Sequence, residues 1–117
     1  MNEIHFEWNR LKSLVNKRKH GVSFEEAKTV FYDENAVQFD DPDHSTTEDR
    51  FIMIGISFKL RVLVVSHCER QGVATIQRAE RGRGGVPIPE RSADVIRIIS
   101  ARKAARHEVK YYEEGKI

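Results

Sequence analysis

Residues 51–68 read FIMIGISFKLRVLVVSHC. The runs Phe51 to Ser57 and Leu60 to Cys68 are rich in β-branched and large apolar residues, and Phe58-Lys59 is the natural connection between them. This stretch predicts a central β-hairpin. Upstream, Val37 and Phe39 predict a brief strand before the turn-forming Asp41-Pro42-Asp43. Further upstream, Ile4, Phe6 and Trp8 alternate as in a half-buried first strand. Asn9 is placed to cap a short basic helix with Leu11, Leu14 and Val15 at helical spacing, and Gly21 offers a left-handed stop after His20. Ser23 with Glu26 forms a capping-box pattern for a second helix striped by Phe24, Ala27, Val30 and Phe31.

Downstream of the hairpin, Val95 to Ile99 reads as a further strand, and Ser100 as the cap of a final helix running to about Glu114. Residues 71–94 carry Gly72, Gly82, Gly84, Gly85, Pro87 and Pro89 among many charges. They have loop chemistry, although Val73 to Ile76 could extend a strand. The segment is either functional or a poorly ordered insertion in a single domain spanning 1–117.

At 117 residues, with 39% hydrophobic and 32% charged residues, the chain has enough apolar side chains to fold around one core without metal or disulfide support. The single cysteine, Cys68, permits no intramolecular disulfide and reads as a buried structural thiol in a reducing compartment. Met1 to Trp8 contains no continuous apolar run, so neither a signal peptide nor a membrane span is expected, and the cytoplasm is the expected location. The net charge of +2 conceals a polarity. Every ionisable residue from Arg10 to His20 is basic, whereas every strongly charged residue from Asp33 to Asp49 is acidic. One region suits phosphate and the other repels it.

The expected final helix sorts into two faces at about 100° per residue. Ala101, Ala104, Ala105, Val109 and Tyr112 fall on one, and Arg102, Lys103, Arg106, His107 and Lys110 on the other. This places Arg102 and Arg106 one turn apart, as an RNA-facing cationic ridge or as an ordinary solvated face. Arg97 on the preceding strand and the basic first helix are further cations that such a groove would need. Glu108 falls within the apolar face, where it is a general base, a residue that orients a catalytic arginine, or half of an ion pair with an arginine of the sheet. His20, at a helix C-terminus whose dipole favours its protonated form, is either a general acid or a capping histidine. His67 reads as a hydrogen-bonded core residue. His5, His44 and His107 lack partners at metal-ligand spacing, and Cys68 beside His67 cannot form a zinc site unaided. There is no phosphate-binding glycine loop, serine nucleophile elbow or HExxH, which argues against most cofactor-dependent classes.

Taken together, these residues resemble the BrnT toxins. Phe6-Glu7-Trp8-Asn9, Lys12, Asn16 and Lys19 to Ala27 are similar to the N-terminal signature of that family. Asp41 to Ser45, Glu48-Asp49-Arg50, Gly55, Val62 to Val65 and Glu69-Arg70 resemble its middle, and Arg97 to Ala104, Arg106, Glu108 and Tyr112 its end. The resemblance covers nearly all of the chain outside about 71–94. It implies a RelE-like α+β fold: an N-terminal strand and two helices, a central antiparallel sheet and a C-terminal helix. It also implies a metal-independent endoribonuclease without a cofactor, which stops translation and is neutralised by a BrnA-like ribbon-helix-helix antitoxin. Operator DNA would be contacted only through that antitoxin. In this reading Arg50, Arg102 and Arg106 stabilise the phosphorane, and His20, Glu108 or Lys19 transfers protons. Lys19, Arg97, Lys103 and Lys110 hold RNA. The alternative is a non-catalytic nucleic-acid-binding or antitoxin-interaction module.

Overall fold

The computed structural model describes residues 3–44, 49–71 and 93–115. Its elements are β1 (Glu3–Glu7), α1 (Arg10–His20), α2 (Phe24–Thr29), β2 (Val37–Asp40), β3 (Arg50–Ile56), β4 (Val62–Gln71), β5 (Ala93–Lys103) and α3 (Arg106–Gly115). The 3-10 turns Val30–Tyr32 and Pro42–His44 flank β2. The strands form one sheet in the order β1-β5-β4-β3-β2; β1 runs parallel to β5, and every other pair is antiparallel. The fold is α+β, and no helix among the described residues is long and apolar enough to cross a membrane.

Local chemistry sets the ends of the first two helices. The Asn9 Oδ1 accepts the Lys12 N–H at 3.0 Å, and Gly21, at φ 73°, donates its N–H to the Lys17 carbonyl at 2.8 Å. Ser23 Oγ accepts the Glu26 N–H at 3.0 Å and so begins α2. The Glu26 carboxylate does not complete the reciprocal capping bond. It is buried against the β3-β4 turn, where Ser57 Oγ donates at 2.7 Å, Arg61 Nε donates at 2.9 Å, and Arg61 Nη2 makes a second contact. Burial pushes the Glu26 pKa up, but the donors from Arg61 and Ser57 outweigh it and hold the carboxyl below its ordinary value.

Alternation along the strands makes two apolar faces. On one, Val22, Phe24, Ala27 and Val30 pack on Leu63, Val65, Ile96, Ile98 and Ala101, with Ile4, Phe6 and Trp8 closing the edge. His67 lies in this layer, with no exposed surface, its Nε2 2.9 Å from Glu69 Oε2 and its ring edge-on to Phe31. On the other face α3 sets Tyr112 against Ile54 and Val64. Tyr112 donates its hydroxyl to Asp33 Oδ2 at 2.7 Å, and the same oxygen accepts the Ile56 N–H at 2.9 Å. A Cβ on Gly55 would stand 2.8 Å from Val30 Cγ1 and 2.9 Å from Ala36 Cβ, so glycine is required for this close approach.

The structure departs in two places from what local periodicity suggests. First, the last strand does not stop at Ile99, and Ser100 does not cap a helix. β5 continues to Lys103, with Ser100 opposite Ser66, Ala101 opposite Val65 and Lys103 opposite Leu63. Pairing to the long strand β4 overrides the helical propensity of Ala101 to Ala105. Arg102 and Lys103 are therefore strand residues, and Arg102 and Arg106 are not one helical turn apart. Helix α3 is opened instead by Glu108, whose Oε1 accepts the Ala105 N–H at 2.8 Å. Second, Leu11, Leu14 and Val15 do not face the core. They are 69%, 61% and 56% exposed, and the buried residue of α1 is Asn16.

The reason lies at the edge of the sheet. β1 ends opposite Arg97, so β5 runs on to Lys103 without a strand neighbour on that side. Helix α1 fills the gap and turns Asn16 inward. Its Oδ1 accepts the Ala101 N–H at 3.2 Å, and its Nδ2 donates to the carbonyls of Ala101 at 2.8 Å and Val22 at 2.9 Å. Asn16→Ala leaves these buried backbone groups unpaired, and we expect a loss of about 2–3 kcal/mol in urea denaturation. Leu14→Ser, on the exposed side of the same helix, should change stability by less than about 0.5 kcal/mol.

Candidate nucleic-acid interface

The side chains that could meet an anionic polymer are distributed by one irregularity in β5. The β4-β5 register passes from His67 opposite Ile98 to Ser66 opposite Ser100, leaving Ile99 as an extra residue. A bulge of this kind reverses which face later residues address. In a regular strand Arg97 and Arg102, five positions apart, would point to opposite faces. With the bulge, Arg97 (opposite Cys68), Ser100 (opposite Ser66) and Arg102 (opposite Val64) share the face that also carries α3. Arg50, opposite Cys68 on the other flank, lies in the same row as Arg97, with Cys68 buried between them.

Helix α1 borders this face. A hollow of about 90 Å³ is lined by Asn9, Lys12, Arg50, Arg97, Ile98 and Ile99. Sharing Lys12 and Ile99 with it is a cleft of about 360 Å³ lined by Leu11, Val15, Asn16, Lys19, His20 and Ser100. The two form one basic groove along the seam between α1 and β5. Lys12, Lys19 and His20 reach it because they are spaced at i, i+7 and i+8, two turns along one side of the helix.

Arg102 stands on the sheet face at the root of α3. Its Nη1 and Nη2 donate to Glu108 Oε1 and Oε2 at 2.7 and 2.8 Å, a two-point grip. The Arg102 guanidinium, helped by the Ala105 N–H, holds the Glu108 carboxyl down to about 2 against the effect of burial. Hydrogen bonding to Glu108 correspondingly raises the Arg102 pKa. Of the three roles open to Glu108, the geometry is that of an ion pair which fixes a sheet arginine; a carboxylate that titrates near 2 is a poor proton acceptor at neutral pH. The Nε–H and one Nη2–H of Arg102 are not engaged by Glu108 or by the Lys103 carbonyl.

The remaining expected residues lie apart from the groove. Arg106 and Lys110 line a wide hollow of about 880 Å³ on α3 with Ala104, His107, Val109 and Glu113. Lys103, paired to Leu63, addresses the opposite face of the sheet from Arg102. The single cationic ridge expected from the sequence is thus three groups. Lys12, Asn9 and Ser100 join the groove without having been singled out for it. The seven-residue spacing of Lys12 and Lys19, about two helical turns, was the available signal, and Ser100 had none because the bulge is invisible in the sequence. The glycines and prolines of 72–92, the strand expected over Val73 to Ile76, Ser45 and Glu48 lie outside the described residues.

The chain matches the family model described as the ribonuclease toxin BrnT of type II toxin-antitoxin systems over residues 8–108. No curated protein matches it. Among solved structures it is similar to the Brucella abortus ribonuclease toxin BrnT, with 21% sequence identity and a TM-score of 0.48, over 91% of this chain and 99% of that one.

The Glu108 grip carries a pH signature. A carboxyl lowered from 4.5 to about 2 on folding contributes stability that is present above about 4.5 and is lost as the pH falls through about 2. We expect the drop in Tm between pH 5 and pH 2.5, followed by circular dichroism, to be smaller in Glu108→Gln than in the parent chain.

Proposed function

Because the chain belongs to the BrnT family of ribonuclease toxins of type II toxin-antitoxin systems, we propose that it is a cytoplasmic endoribonuclease that cuts RNA without a metal ion and so arrests translation. The observation that carries this reading is the alignment of Arg50, Arg97 and Arg102 on one sheet face beside a groove lined by Lys12, Lys19 and His20. Such a surface can follow a phosphate backbone and concentrate positive charge at one phosphate.

Cleavage begins with removal of the proton from a ribose 2′-OH. The 2′-oxygen bonds to the adjacent phosphorus, the bond from phosphorus to the 5′-oxygen breaks, and that oxygen takes up a proton. The products are a 2′,3′-cyclic phosphate and a 5′-OH. His20, at the rim of the groove, is the proton-transfer group in this scheme, with Lys19 and Lys12 beside it holding phosphate. Arg102, oriented by Glu108, offers its remaining donors to the phosphorane, while Arg50 and Arg97 hold the neighbouring strand. Glu108 acts as a positioning residue. Arg106, Lys103 and Lys110 extend the cationic surface beyond the groove. A BrnA-like ribbon-helix-helix antitoxin is the partner in this scheme, and operator DNA is reached through it.

Inducing this chain alone in a bacterial host should stop growth and fragment total RNA. Arg102→Ala should lower cleavage by about 100-fold or more and restore growth. His20→Ala should abolish cleavage while leaving RNA binding and its salt dependence within about twofold. Cleavage that survives both substitutions would overturn the mechanism, and salt-dependent binding without any cleavage by the parent chain would identify a binding module instead.

A further inference from the structure

Helix α1 presents its apolar stripe to solvent. Leu11, Leu14 and Val15, adjacent on the helix surface at i, i+3 and i+4, are all more than half exposed. An amphipathic helix ordinarily buries this stripe. Here the inward side is committed to Asn16 and the edge of β5, so the apolar side is left outward by construction. Aliphatic surface rimmed by charge marks a protein-binding site, and RNA phosphates gain nothing from leucine and valine. The rim has one sign: Arg10, Lys12, Lys17, Arg18 and Lys19 surround the stripe, and α1 contains no aspartate or glutamate.

We propose that the Leu11, Leu14 and Val15 stripe of α1 is where the antitoxin docks, through an amphipathic segment that lays aliphatic side chains on the stripe and carboxylates on the flanking lysines and arginines. The proposal rests on the toxin reading given above. Leu11 and Val15 line the same cleft as Lys19 and His20. A segment seated there fills the groove that RNA needs, so neutralisation is direct exclusion of substrate and requires no change of fold. Charge complementarity of this kind also speeds encounter and selects against basic or neutral partners.

The test uses the full chain and the product of the adjacent reading frame, the proposed antitoxin, with affinity measured by titration at two salt concentrations. Leu14 lies outside the cleft lining, so Leu14→Glu should remain folded and cleave RNA at the parent rate. It should bind the antitoxin about 100-fold more weakly and escape silencing on co-expression. Leu14→Lys should lose about 10-fold, because its charge suits an acidic partner. RNA and antitoxin should compete for the parent chain. Parent-like antitoxin affinity in Leu14→Glu overturns the proposal. So does a change confined to self-association, which would make the stripe a contact between copies of this chain, and so does loss of RNA cleavage with antitoxin binding intact. If the parent chain binds the antitoxin through Leu14 but cuts no RNA, the docking surface stands and the ribonuclease reading fails. If the parent chain does not bind the neighbouring protein at all, the docking proposal fails independently of cleavage.

Discussion

The free edge of β5 is the constraint around which the rest of the molecule is arranged. β1 accompanies β5 only as far as Arg97, and once α1 covers the edge beyond it, the buried backbone there needs partners that no strand supplies. The amide of Asn16 is one of the few side chains that can imitate a strand residue, since it both accepts an N–H and donates to a carbonyl. Its bonds to Ala101 tie α1 to the sheet edge, and its third bond, to the Val22 carbonyl, fixes the turn into α2. The position of α1 therefore follows from hydrogen bonding, with hydrophobic burial of its stripe given up.

That placement has two consequences for the site. It brings Lys12, Lys19 and His20 against Ile99 and Ser100, creating a groove where a second strand would have left flat sheet. It also leaves three aliphatic side chains facing outward. The bulge at Ile99 acts at the same place, turning Arg102 onto the face of Arg97. The groove and the arginine row are both products of how β5 departs from a regular, fully paired strand.

At the far side of the sheet, polar groups do the work of fastening. Asp33 accepts from Ile56 and Tyr112, and Glu26 from Ser57 and Arg61, so that the helices on each face are tied to the β3-β4 hairpin by carboxylates with several donors each. Asp33, Glu34, Asp40, Asp41 and Asp43 fall around β2, at the sheet edge opposite β1. The charge polarity of the chain thus becomes a separation in space, but an incomplete one, because Asp40 and Asp49 share a hollow with Arg50, which also lines the basic groove.

Local chemistry was legible in the amino-acid sequence. The Asn9 and Gly21 ends of α1, the Ser23 start of α2, the hairpin over 51–68, the buried Cys68 and His67, and the family signatures all depend on neighbours within a few residues or on residue type. What the tertiary structure decided was the length of β5, the start of α3 at Arg106, the bulge at Ile99 and the face that α1 buries. Helical periodicity in Ala101 to Ala105 and in Leu11 to Val15 is real, but it reports only what an isolated segment prefers. Partners distant in sequence outbid that preference: β4 supplied the ladder that kept Ser100 to Lys103 extended, and an unpaired strand edge, 85 positions away from Asn16, chose the polar side of its helix over the apolar one.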